Sequence, residues 1–213
     1  MSVDPLGTPR RPRIAALRVA FSRRTSTPVY AARWYAVECG IPVLPCHYPV
    51  RDGLPGLACS CQRADCSSPA RHPLLPSGVE EATTDPGQLR HWWLRHPQAN
   101  VGLATGAAVD VLDVDEATGH RLVRAGVPLG PVARTGTGRL QFYCAPSGLD
   151  DRDVQGRFAS LPDLSRIWWR GRGGYVLAPP SRVLTGASRW LLHDPPNPLP
   201  DVMALLGVLI PTP

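Results

Sequence analysis

The stretch Val109-Asp110-Val111-Leu112-Asp113-Val114-Asp115 constrains this chain most, because apolar and acidic residues alternate along a short, bounded run. A period of two is the pattern of a β-strand with two unlike faces. It sends Leu112 and Val114 toward a core and Asp113 and Asp115 to the opposite face. Carboxylates two positions apart on one strand face lie about 7 Å from each other, near enough to grip divalent cations that prefer charged oxygen ligands. The same residues admit another reading, in which the strand runs into an acidic turn and Asp115-Glu116 caps the following helix. The spacing leaves both open, since D-x-D is a short motif.

Composition limits the chemistry further. A chain of 213 residues, 43% hydrophobic, can bury a real core as one domain or one domain with a small appendage. Its net charge of +6 favours an anionic partner. There is no lysine, so all 23 Lys/Arg positions are arginine. That excludes a Walker A phosphate loop, a Schiff-base enzyme and a lysyl-adenylate ligase, while arginine can still clamp phosphates in a bidentate manner. No apolar run approaches the roughly 18 residues of a membrane span, and arginines break the N-terminus where a signal peptide would need an apolar stretch. The expected compartment is cytoplasmic, with no membrane partner.

Along the chain, residues 1–27 read as a basic tail with a short helix over 14–24. A firmer helix starts at Thr27-Pro28 and stops at Cys39-Gly40, with Val29, Ala32, Ala36 and Val37 as its apolar stripe. Ile41-Pro42-Val43-Leu44 is a strand whose proline confines it to an edge or to the start of a ladder. Thr84-Asp85-Pro86 caps a helix reaching about His96, in which Trp92 and Trp93 suit a core better than a base-stacking platform. Strands follow at 101–104, 109–115 and 140–144, with a helix over 116–125 stopped by Gly126. Strands at 167–170 and 175–178 flank the loop Gly171-Arg172-Gly173-Gly174. Residues 146–165 are irregular, and 195–213 form a proline-rich tail ending in an apolar helix over 202–210.

Between residues 46 and 73 lies an insertion of different character. Cys59, Cys61, Cys66 and His72 give C-x-C-x4-C-x5-H, thiolates and an imidazole suited to a four-coordinate structural zinc site. So few apolar residues surround them that a metal would supply most of the loop's local stability. Reduced, unliganded cysteines are the other reading, and Cys46 and His47 stand close enough to replace one ligand. Cys39 and Cys144 suit a core.

Several blocks in fixed order carry a resemblance over residues 28–192. They are the helix over 30–39 leading to Gly40-Ile41-Pro42-Val43-Leu44-Pro45, the cysteine insertion ending Arg71-His72-Pro73, and Ala82-Thr83-Thr84-Asp85 with Trp92-Trp93. Asn100-Val101-Gly102 with Thr105-Gly106 and Val111-Leu112-Asp113-Val114-Asp115 come next. Thr135-Gly136-Thr137-Gly138 and Gly173-Gly174-Tyr175-Val176-Leu177-Ala178-Pro179-Pro180-Ser181 complete the set. The chain resembles the prim-pol domain of bifunctional DNA primase/polymerases, in the archaeo-eukaryotic primase superfamily. The resemblance implies an α+β fold over residues 28–194, an RRM-like mixed sheet beside an N-terminal α/β unit and the zinc insertion. It also implies template-directed nucleotidyl transfer, with Mg²⁺ or Mn²⁺ on Asp113 and Asp115 activating a primer hydroxyl and neutralising a triphosphate. Arg139, Arg170, Arg172, Gly173 and Ser181 are the candidate phosphate and nucleotide contacts, with Arg134 a further clamp.

Two positions depart from the family pattern. Gln141 stands where a phosphate-contacting histidine is expected, and Trp168 where a third carboxylate is expected. Glutamine donates a hydrogen bond but carries no charge, and tryptophan cannot ligate a metal. Two expectations follow. One is a primase/polymerase, with Asp113, Asp115 and Gln141 in the catalytic site, whose activity on single-stranded or primer-template DNA is weak or lost. The other is a non-catalytic module that binds nucleic acid or nucleotides, or docks on a replication protein.

Overall fold

The computed structural model of the protein describes residues 27–51, 56–150, 152–153, 167–192 and 199–209. The expected basic tail and helix up to residue 26, most of the irregular stretch 146–165, and residues 195–198 and 210–213 of the C-terminal segment lie outside the described residues.

Helix α1 (Pro28–Arg33) has its proline in the first turn, where no intrahelical N–H is needed, and widens into a π-helical turn over Trp34–Glu38. Its stripe differs from the expected one. Ala32 and Ala36 are buried with Ala31, Trp34 and Tyr35, whereas Val29 and Val37 face outward. The wider turn shifts the helical phase, and the two aromatic rings claim the inner face. Strand β1 (Val43–Cys46) carries Pro45 and lies at the edge of a three-stranded antiparallel sheet, as a strand proline requires. Strands β2 (Pro49–Val50) and β3 (Ala58–Cys59) make a small hairpin in the cysteine insertion. Helix α2 (Pro86–Arg95) is capped by Asp85, whose carboxylate accepts from the Gln88 N–H at 2.7 Å. Its Leu89, Trp92 and Trp93 are buried.

Strand β4 (Asn100–Ala104) is the middle of the small sheet. Strand β5 (Asp110–Val114) is inside a second, five-stranded sheet, and helix α3 (Glu116–Arg124) follows it directly. Strands β6 (Val132–Arg134) and β7 (Leu140–Cys144) form a hairpin around the Thr-Gly-Thr-Gly turn. Strands β8 (Ile167–Arg170) and β9 (Tyr175–Ala178) belong to different sheets, so the loop between them carries the chain from one to the other. Gly106 is required at that crossing: its φ is +99°, and a Cβ would collide with the backbone of Arg172. A short hairpin of β10 (Arg182–Val183) and β11 (Gly186–Ala187) leads to β12 (Arg189–Leu192). Helix α4 (Val202–Leu209) ends the described chain.

The large sheet has the order β12-β6-β7-β5-β8. Every strand pair among the described residues is antiparallel, so the sheet is not the mixed one expected. The reason is topological: α3 carries the chain past one strand position, and β7 returns into the gap beside β5. The even residues of β5, Leu112 and Val114, pack with Phe142, Trp169, Leu122 of α3, and Leu205 and Leu206 of α4. Helix α4, expected as an apolar helix near the C-terminus, is a layer of the second core. On the other face, Val111 and Tyr143 pack against the N-terminal unit through Leu103, Trp93 and Tyr35. Beyond Val111 that cover ends, and a cleft opens where Asp113 stands. No helix among the described residues is long and apolar enough to cross a membrane.

Candidate functional site

The cleft has a volume of about 570 Å³ and lies between the two sheets. Strand register sets its floor. Asp113 of β5 is opposite Gln141 of β7 on one side and Trp168 of β8 on the other, so three side chains form one row. The Thr135–Arg139 turn and the Gly173-Gly174 loop supply two of its walls, and Arg71 and Ser68 of the cysteine insertion contribute as well.

Asp113 is nearly buried and fully engaged. Arg139 makes a charge-assisted hydrogen bond from Nε to Asp113 Oδ1, and its Nη2 donates to the Asp113 carbonyl at 2.9 Å. The Gln141 amide donates to Asp113 Oδ2 at 3.1 Å, and Tyr143 Oη donates to Gln141 Oε1 at 3.4 Å. The Arg139 guanidinium carbon also lies 3.9 Å from the centroid of the Trp168 ring, a cation–π contact. The turn fixes Arg139 in place, with the Thr135 N–H donating to its carbonyl at 2.8 Å and its own N–H donating to Thr135 Oγ1 at 3.0 Å. Burial pushes the Asp113 carboxyl above the usual carboxylate range, against the pull of Arg139 and the Gln141 amide.

The other expected site residues divide. Asp115 stands beyond the end of β5 as the N-cap of α3, where its carboxylate accepts from the Thr118 N–H at 2.7 Å. Arg170, two residues after Trp168 on β8, lines the cleft together with Gly173. Arg172 lines a neighbouring hollow of about 300 Å³ with Arg152 and Arg170. Ser181 is fully buried: its hydroxyl accepts from the Val101 N–H at 2.9 Å and ties the Pro180-Ser181 turn to β4. Arg134 faces Glu116 at 3.6 Å.

In the insertion, Cys59, Cys61, Cys66 and His72 bring their donor atoms within 4.8 Å of one another, a set able to hold a metal such as zinc. Cys59 Sγ is 3.5 Å from His72 Nε2 and accepts the Ala70 N–H at 3.1 Å. The Arg63 backbone N–H, above all, holds the Cys61 thiol down to about 6, whereas burial pushes Cys59 up. Cys46 is buried in β1 and His47 stacks on His72 at 4.1 Å, so neither replaces a member of the four. Cys39 and Cys144 are core residues.

Arg71 and Thr137 line the cleft without having been singled out as site residues. For Arg71 the signal was its position beside His72, and for Thr137 its place in the Thr-Gly-Thr-Gly block, whose turn the β6–β7 register brings over the floor.

The chain is α+β, with an antiparallel sheet, an acidic residue on strand β5 between β7 and β8, and an arginine-lined cleft. Residues 32–202 match the family described as bifunctional DNA primase/polymerase, N-terminal (Prim-Pol), and since this is most of the chain, the protein belongs to that family. No curated protein matches it individually.

Proposed function

We propose that this chain uses the primase/polymerase fold to bind the phosphates of nucleotides and of single-stranded or primer-template DNA, with template-directed nucleotidyl transfer weak or lost. The observation that carries this reading is the guanidinium of Arg139 on the Asp113 carboxylate. A cation of the chain itself takes the charge partner that a divalent ion would need, and Trp168 braces it from the edge strand. The residues present do not fit a pair of Mg²⁺ or Mn²⁺ ions. Asp113 is paired, Asp115 caps a helix, and the position opposite Asp113 on β8 is tryptophan. The RRM-like character of the sheet is supported by the order β6-β7-β5-β8 around a β-α-β-β start, which places Asp113 and Gln141 centrally on an open face.

The sulfur cluster does fit a metal. Cys59, Cys61, Cys66 and His72 would hold a structural zinc that cross-links a loop with little core of its own. Arg139, Arg170 and Arg71 give the cleft its anion-attracting charge.

Primer extension with Mg²⁺ or Mn²⁺, by wild type, Asp113→Ala and the double variant Trp168→Asp/Gln141→His, tests this. Wild type should extend weakly or not at all, bind single-stranded DNA with an affinity that falls steeply with salt, and change little in extension on Asp113→Ala. The double variant should gain metal affinity. Robust extension by wild type that vanishes in Asp113→Ala would overturn the reading.

A further inference from the structure

Arg71 belongs to two places at once. It precedes His72, a member of the thiol–imidazole cluster, and it lines the same cleft as Asp113 and Arg170. We propose that metal occupancy of the cluster sets the position of Arg71 in the cleft, so that metal binding and the binding of a phosphate-bearing ligand are thermodynamically coupled. The coupling rests on the phosphate-binding reading above.

The backbone over residues 70–72 is held from both sides. On the cluster side, the Ala70 N–H donates to Cys59 Sγ at 3.1 Å, and the His72 carbonyl accepts from the His47 N–H at 2.8 Å. On the sheet side, the Ala70 carbonyl accepts from Asn100 Nδ2 at 2.9 Å, and the Arg71 carbonyl accepts from Tyr175 Oη at 3.0 Å. Tyr175 is itself a cleft residue. Between these anchors Ala70 is buried with φ at +57°, a left-handed conformation that a residue with a Cβ keeps only when its surroundings impose it. Part of that imposition comes from Cys59.

Three sulfurs and an imidazole converge within 4.8 Å. Thiolates this close repel one another, so a divalent cation is what makes the converged arrangement favourable. Remove the cation, and the sulfur that holds Ala70 loses its fixed place, and with it the turn that aims Arg71. The Arg71 guanidinium has no hydrogen-bond or ion-pair partner among the described residues, which leaves it available to an anion in the cleft. A charge-assisted contact to phosphate is worth about 10- to 100-fold in affinity. Linkage then makes the effect reciprocal: whatever zinc does for the ligand, the ligand does for zinc.

The test uses the full chain and a fluorescein-labelled oligo(dT) at low salt, read by anisotropy, with zinc-loaded and zinc-stripped protein, for wild type and Arg71→Ala. Stripping zinc should weaken wild type about 10-fold or more. Arg71→Ala should weaken the loaded protein to a similar degree, and stripping should then add less than about 2-fold. A second measurement avoids any unfolding of the stripped form: the rate at which a chromogenic chelator extracts zinc from loaded protein. Oligo(dT) should slow extraction from wild type and leave Arg71→Ala unaffected. Equal losses on stripping in both proteins, or extraction rates indifferent to oligo(dT), would overturn the coupling. Tight oligo(dT) binding unaffected by zinc would sink the coupling and leave the phosphate-binding reading standing. Absence of binding by loaded wild type would sink both.

Discussion

Two regions of this molecule carry metal-ligand residues at suggestive spacing, and they differ in what else those residues do. In the cysteine insertion the four donors point at one another, and the contacts they make, such as the Ala70 N–H on Cys59, steady a sulfur as a ligand. In the cleft Asp113 is already engaged by Arg139 and Gln141, and Asp115 stands outside the cleft lining, capping a helix. A ligand set is defined by convergence and by freedom from other partners; spacing alone supplies neither.

The contrast can be broken most sharply by metal analysis. The protein should hold about one zinc per chain, and Cys61→Ser/Cys66→Ser should abolish retention, with zinc affinity falling at least about 100-fold. Zinc-free protein after gentle purification would erase the contrast. Next in size is Arg139→Ala. It leaves the buried Asp113 charge without its cation and should cost about 2–4 kcal/mol in urea unfolding. A loss below about 0.5 kcal/mol would mean that the pair is incidental. Asp115→Ala should cost about 1 kcal/mol as a lost N-cap and leave Mn²⁺ affinity unchanged. A fall in Mn²⁺ affinity instead would return Asp115 to the metal.

The smallest effect concerns Asp110. It is fully buried; one oxygen accepts from the Ser147 N–H and hydroxyl, each at 2.7 Å, and the other has no hydrogen-bond partner among the described residues. Burial pushes its carboxyl up despite Ser147. A carboxyl raised in the folded state contributes stability that is fully present below its unfolded value and is lost as pH rises through the folded one. Asp110→Asn should therefore gain on wild type as pH rises from the acid side toward neutrality, measured as the difference in Tm. A constant difference across that window would contradict the shift.

Local structure was legible in the sequence wherever a residue acts on its own neighbours. Asp85 capping α2 and alternation sending Leu112 and Val114 inward are short-range effects, while the strand expected over 41–44 with Pro42 instead runs over Val43–Cys46 and carries Pro45. The stripe of α1 was misread because a π turn changes the period on which the stripe depends. Of the long-range groupings, the meeting of Asp113, Gln141, Trp168 and the Gly173-Gly174 loop in one cleft follows from the family resemblance, whereas the pairing of Arg139 with Asp113 was not legible. Arg139 meets Asp113 only because the β5–β7 register sets Gln141 opposite it and the turn delivers the next-but-one residue over its carboxylate. Ser181, chosen as a phosphate contact, instead bonds to a strand far earlier in the chain. Nor does any pattern in residues 167–178 announce that its two strands enter different sheets.

The position of α4 has a consequence for the order of synthesis. Strand β5 leaves the ribosome long before Val202 does, yet Leu112 and Val114 share their core with Leu205 and Leu206. At roughly 5–20 residues per second, the part of that sheet face that α4 covers waits several seconds for its lid. Until α4 docks, the chain presents apolar strand residues to solvent, and that is the interval in which this sheet face is most exposed to chaperones and to aggregation.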